Sequence, residues 1–165
     1  MQTIHTIGTS TMEGAVAERD KQFLALLKEH HIDAVIDVRR YQHGLGWEFV
    51  SCYHLEPLVV DTLHIPYFPE KRFAPSPDIL KRWKESKRTE EDWRIYERDY
   101  LALIARPYKA EDMDMLSIWK ERFSGFCSPC LLCAEKSPER CHRRLLAERM
   151  SKEFRVPIVH IEGNV

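Results

Sequence analysis

The sequence predicts an α/β fold: a single domain over residues 1–165, built on a mostly parallel five-stranded sheet with helices on both faces, Rossmann-like in layout. Three observations lead there. Short apolar runs of strand length alternate with longer stretches of helical periodicity along the whole chain. No repeat, low-complexity tract or second-domain linker interrupts them. And 165 residues, 44% hydrophobic and 31% charged, suit one domain with a sizeable core rather than a disordered chain.

Taken in order, residues 2–7 read as a first strand that ends at Gly8-Thr9-Ser10-Thr11. A glycine followed by hydroxyls after a strand can hold an anion, and it can equally just cap a turn. Residues 18–30 read as a helix, with Phe23, Leu26, Leu27 and His30 on one face. Residues 34–38 make a second strand, and a strand-helix-strand run implies a parallel pair. Asp37 and Arg39 lie at its exit, two apart in extended chain and so on one side. They are either an internal ion pair or part of a site.

Residues 40–75 are the least regular part. Residues 41–47, glycine-rich and aromatic, match neither a dinucleotide fingerprint nor a P-loop and read as a long loop able to cover a site. Residues 62–65 are the expected third strand, followed by Pro66-Tyr67-Phe68-Pro69. Tyr41, Trp47, Tyr67 and Phe68 read as exposed aromatics, for stacking on a planar ligand or for packing the loops. Ser76-Pro77-Asp78 opens a helix over 79–87 whose Lys81, Arg82, Lys84, Lys87 and Arg88 form a basic face. Thr89, with Asp92 three residues on, caps the next helix, where Trp93, Tyr96, Tyr100 and Leu103 recur at helical spacing as a core stripe. Residues 109–123 form a further helix, ended by Gly125, and 156–161 a last strand.

The most informative stretch lies between those two. Residues 130–134 are an apolar run typical of a strand buried on both faces, and Ser137 with Pro138 behind it is placed to cap a helix. Cys133, Glu135, Cys141, His142 and Arg143 gather at that junction. In open parallel sheets ligands bind at strand carboxyl ends, beside helix N-termini. On the helix, Leu145, Leu146 and Met150 define a buried arc that includes His142 and Arg143. Such inward polar groups need partners, either a carboxylate such as Glu135 or Asp37, or a captured ligand.

Cys133-Ala134-Glu135 followed by Cys141-His142-Arg143 resembles the C-terminal signature of the family of domains of unknown function numbered 488. Thr6-Ile7-Gly8-Thr9-Ser10 resembles that family's opening strand and turn, and Val35-Ile36-Asp37-Val38-Arg39 its second strand. The family's turn usually reads Gly-His-Ser, whereas here Thr9 holds the histidine position. The resemblance implies the fold and the place of the site more than an activity. The layout also resembles rhodaneses and cysteine phosphatases, but their loop arginine falls where this chain has Glu139, and the loop holds no glycine. That chemistry is not expected.

A net charge of −1 argues against strong unspecific nucleic-acid binding. The N-terminus lacks a basic region ahead of a long apolar run, and the expected location is cytoplasmic. The five cysteines, odd in number, read as reduced thiols. No metal site and no cofactor are expected: Cys130 and Cys133, three apart in a strand, point to opposite faces, and Cys127 and Cys130 lie outside the signature.

The expected site therefore draws Thr9, Ser10, Asp37, Arg39, Cys133, Glu135, Cys141, His142 and Arg143 to one edge of the sheet. In the leading reading Asp37, Glu135 or His142 does acid-base work, while Arg39 and Arg143 hold an anionic, nucleotide-like substrate or a nucleic acid. Hydrolase or glycosylase-type chemistry would suit it. A non-catalytic binding module and a thiol or metal protein built on Cys133 and Cys141 are the alternatives.

Overall fold

The computed structural model describes residues 1–42, 50–106 and 113–163. In chain order the elements are β1 (Ile4–Gly8), α1 (Val16–Glu29), β2 (Ala34–Asp37), α2 (Cys52–Leu63), β3 (Tyr67–Pro69), α3 (Pro77–Glu85), α4 (Glu90–Ile104), α5 (Met115–Phe123), β4 (Pro129–Cys133), α6 (His142–Phe154) and β5 (Ile158–Ile161). The five strands are all parallel, in the order β3-β2-β4-β1-β5. β1 and β2 are thus parallel but not neighbours. β4, formed late in the chain, inserts between them, and every one of its residues is buried.

Strand alternation sends successive side chains to opposite faces, and each face has its own core. On one, Ile36 and Leu131 meet Tyr96 and Tyr100 of α4, Trp119 and Phe123 of α5, and Leu145, Leu146 and Met150 of α6. On the other, Ile7, Val35, Cys130 and Leu132 meet Phe23 and Leu27 of α1 and Leu55 and Val59 of α2. The chain runs outward from β1 through β2 to β3 with α1 and α2 on the second face. It then returns to the middle and leaves through β5 with α6 on the first. Connections diverge at the carboxyl ends of β1, β4 and β2, the position where such sheets bind ligands.

The expected aromatic stripe is core: Trp93, Tyr96 and Tyr100 are buried. Thr89 and Asp92 close a full capping box on α4, and Ser76 accepts from the Ile79 amide with Pro77 at the first position of α3. Some expectations change. Residues 62–63 end α2 rather than open a strand. Ser51 caps that helix, and His64 stops it in the left-handed region at φ 56, so the third strand falls at Tyr67–Pro69. Pro57 inside α2 interrupts its helical pattern, which left residues 62–65 to read as a strand. The second change concerns α6. Ser137 accepts from the Glu139 amide in a turn, and Cys141 is the N-cap residue, so His142 and Arg143 are the first two helical residues. Of the aromatics read as exposed, Tyr41 is exposed, Tyr67 is buried, and Phe68 is half-buried against Phe123 and Phe126. The loop expectation at 43–47, with Trp47, and residues 109–112 of the helix expected over 109–123 lie outside the described residues. No helix among the described residues is long and apolar enough to cross a membrane.

Candidate functional site

Three strand exits lie side by side. Gly8 of β1 is in register with Cys133 of β4, and Leu132 with Asp37 of β2. The loop after β4 is laced to its neighbours: the Ser10 amide donates to Ala134 O at 3.0 Å, and the Val38 amide to Leu132 O at 3.1 Å. Gly8 is required by close approach, since a Cβ there would lie 1.8 Å from Glu135 O and 2.9 Å from Arg143 Nη1. Arg143 is fully buried and clamps the same loop, donating from Nη1 to Glu135 O and from Nη2 to Lys136 O at 2.9 Å. Its Nε has no hydrogen-bond partner. An arginine spent on backbone carbonyls positions the loop. The residue expected as a substrate anchor is thus engaged with the loop's own carbonyls.

Starting α6 at His142 brings its first turn against the end of β4. Cys133 Sγ lies 3.1 Å from Glu135 Oε2 and 3.8 Å from His142 Nδ1, and Cys141 Sγ lies 3.5 Å from the same carboxylate oxygen. Arg143 Nη1 is 3.7 Å from Cys141 Sγ. The imidazole is fixed by two contacts. Its Nε2 is 2.9 Å from Val38 O, which can only accept, so Nε2 carries that proton, while Cys133 Sγ lies 3.8 Å from Nδ1 and 3.9 Å from Nε2. The ring also packs edge-on against Tyr100, whose hydroxyl donates to Phe73 O. Cys133, Cys141 and His142 are buried, while Glu135 is exposed as a residue yet folds its carboxylate back onto the sulfurs.

Charge is shared unequally here. Burial opposes a thiolate at Cys133, but the Cys141 thiol and the charged side of His142 outweigh it and hold Cys133 well below the ordinary thiol range. Burial and the adjacent Cys133 push Cys141 well up. Two thiols whose sulfurs lie within 4.8 Å cannot both ionise at no cost, so one takes the charge. Burial pulls the His142 imidazole down, but the Cys133 thiolate more than compensates and raises it. Glu135 is raised by burial and by Cys133.

Asp37 and Arg39 belong to a different place. Asp37 shares its sheet face with Val35, on the α1–α2 side, whereas Cys133 shares the face of Leu131, on the α4–α6 side. Asp37 is fully buried and accepts from Arg39 Nε at 2.8 Å, Arg39 Nη2 at 2.6 Å, the Arg39 amide at 3.1 Å and the Tyr67 hydroxyl at 2.7 Å. Arg39 Nη1 donates to Val50 O at 2.6 Å. Burial works against the Arg39 charge, but Asp37 raises its pKa on balance. Asp37, expected as an acid-base group, and Arg39, expected as an anchor, thus bond mainly to each other. Thr9 is buried and Ser10 exposed at the β1 exit. Of the residues expected together at this edge of the sheet, Asp37 thus lies on one face and Cys133 on the other.

Periodicity hid several contributors. Tyr100 and Tyr96 read as core, and Tyr96 is raised chiefly by burial but also by Tyr100, Cys141 and Cys133. The Val38 carbonyl has no side-chain signal at all. Basic residues reach the rim: Arg140 Nη1 donates to Arg88 O at 2.6 Å, joining the loop before α6 to the turn between α3 and α4. Arg144 lies over the Trp93 ring at 5.7 Å.

Among curated proteins and among solved structures, nothing matches the chain. A family model does, that of the domain of unknown function DUF488, over residues 19–150. The match runs from within α1 into α6 and takes in both the Asp37–Arg39 pair and the Cys133–Arg143 loop, leaving β1, the Gly8–Ser10 turn and β5 outside. Covering most of the chain, it shows that the protein belongs to the DUF488 family.

Proposed function

We propose that the chain is an enzyme acting on a small anionic, nucleotide-like substrate, or on a nucleic acid, at the carboxyl end of β4, with Glu135 as the general acid or base. One observation carries the reading: a carboxylate on an exposed residue is held against two buried sulfurs and beside an oriented imidazole, at the edge where parallel sheets bind ligands. In a hydrolytic step Glu135 takes a proton from water as its oxygen attacks, then returns it to the leaving group. The anion meets the rim rather than the inner arginines, since Arg140, Arg88 and Lys136 are exposed around the loop. Lys81 and Lys84 of α3 and Lys87 just beyond it are exposed as well, which supports a nucleotide or a strand.

The test is turnover of a panel of nucleotides, nucleosides and single-stranded oligonucleotides, followed by product analysis. Glu135→Gln is expected to abolish turnover and keep binding, because it removes a titrating group but keeps a hydrogen-bonding shape. Binding by the wild type with no product from any member of the panel would favour a non-catalytic module. The alternative of a thiol or metal protein has its own support, in that Cys133, Cys141 and His142 fall in one cluster.

A further inference from the structure

The cluster at the start of α6 has the makings of a metal centre. One ligand atom from each of Cys133, Cys141 and His142 lies within 4.8 Å of the others, and all three residues are buried. The expectation of no metal rested on Cys130 and Cys133 pointing apart, and they do: Cys130 packs with Leu132 on the α1–α2 face. But the second thiol comes from elsewhere. Cys141, as N-cap of α6, swings back to the strand end and meets Cys133 there.

We propose that Cys133, Cys141 and His142 bind one zinc-class divalent cation, a site separate from any claim of turnover, since the ligands would hold the ion whether or not a reaction follows. Four features support it. Two thiolates and an imidazole are a borderline-soft donor set that selects zinc over magnesium or calcium. His142 donates its Nε2 proton to Val38 O at 2.9 Å, leaving Nδ1, 3.8 Å from Cys133 Sγ, as the nitrogen open to an ion, and an imidazole that binds metal through one nitrogen is commonly fixed through the other in this way. Arg143 Nη1 lies 3.7 Å from Cys141 Sγ, where it offsets thiolate charge. And the Glu135 carboxylate lies 3.1 and 3.5 Å from the two sulfurs, beside any ion they would hold, whose tetrahedron would have one further corner. Three protein ligands with that corner left for water is the pattern of catalytic rather than structural zinc. A water bound there would pass its proton to Glu135 and remain on the ion as hydroxide.

The experiment uses the full chain, purified reduced, stripped with a chelator, then titrated with Zn2+ and, for its spectrum, Co2+. The expected result is one equivalent of zinc retained through desalting, undisturbed by excess Mg2+, and a cobalt adduct with thiolate-to-cobalt charge-transfer absorption. Cys141→Ser and His142→Gln should each weaken zinc binding by at least about tenfold. Cys127→Ser, at an exposed cysteine, should leave it unchanged. If the ligand variants fail to fold, thiol counting on the folded wild type replaces them: zinc should protect Cys133 and Cys141 from alkylation and leave Cys127 reactive. Retention of no zinc by the wild type, or wild-type affinity in folded Cys141→Ser and His142→Gln proteins, would overturn the proposal. A metal-loaded chain with no activity on any substrate would refute the enzymatic reading and leave the metal site standing.

Discussion

Two polar clusters stand at neighbouring strand exits, and they have opposite fates. At β2, each oxygen of Asp37 is taken: Oδ1 by Arg39 Nε and the Arg39 amide, Oδ2 by Arg39 Nη2 and Tyr67. At β4, Cys133, Cys141 and Glu135 have mainly one another, with His142 held by a carbonyl behind it. The first cluster is saturated and buried on the α1–α2 face. The second keeps its reactive atoms turned toward a common point. A charged residue at a strand end is therefore a site only when its hydrogen-bonding capacity is left over. Saturation turns the same chemistry into scaffold.

The comparison can be broken by mutation. Asp37→Ala should be the most damaging change, costing about 3–5 kcal/mol, because it strands the Arg39 charge in a buried setting. Urea denaturation reads this directly, and a loss of less than about 1 kcal/mol would mean that Asp37 is not scaffold. Gly8→Ala comes next, at about 3 kcal/mol, since its Cβ must displace the Glu135 carbonyl. That cost should come with disturbed thiol reactivity at the β4 cluster and leave the Asp37–Arg39 pair intact, which the Tyr67 environment would report. Tyr67→Phe removes one donor to a charged group and should cost about 1.5–2 kcal/mol, read by thermal melts. Glu135→Gln sharpens the contrast from the other side. Its effect on stability should stay within about 0.5 kcal/mol, despite the loss of turnover expected under the proposed function. If Glu135→Gln unfolds the chain as Asp37→Ala does, the two clusters are alike after all.

Much of this was legible in one dimension. The stripe of Trp93, Tyr96 and Tyr100, the capping pair Thr89 and Asp92, and the run that becomes β4 all express local periodicity and turn chemistry. So does the gathering of Cys133, Glu135, Cys141 and His142, because these residues are separated by only one loop. Where the local signal conflicted with itself, as around Pro57 in α2, the reading slipped to a strand.

The sequence by itself determined which segments are strands or helices over most of the chain, and which short stretch carries the chemistry. Those properties depend on backbone preference and on neighbours a few residues away. Only the tertiary structure decided that β4 separates β1 from β2, and that Tyr67, thirty residues further along, takes the last lone pairs of Asp37. It alone set the Val38 carbonyl behind His142 and turned Cys141 back onto Cys133. Partners of that kind are brought together by the burial of two cores, and no spacing in the chain records them.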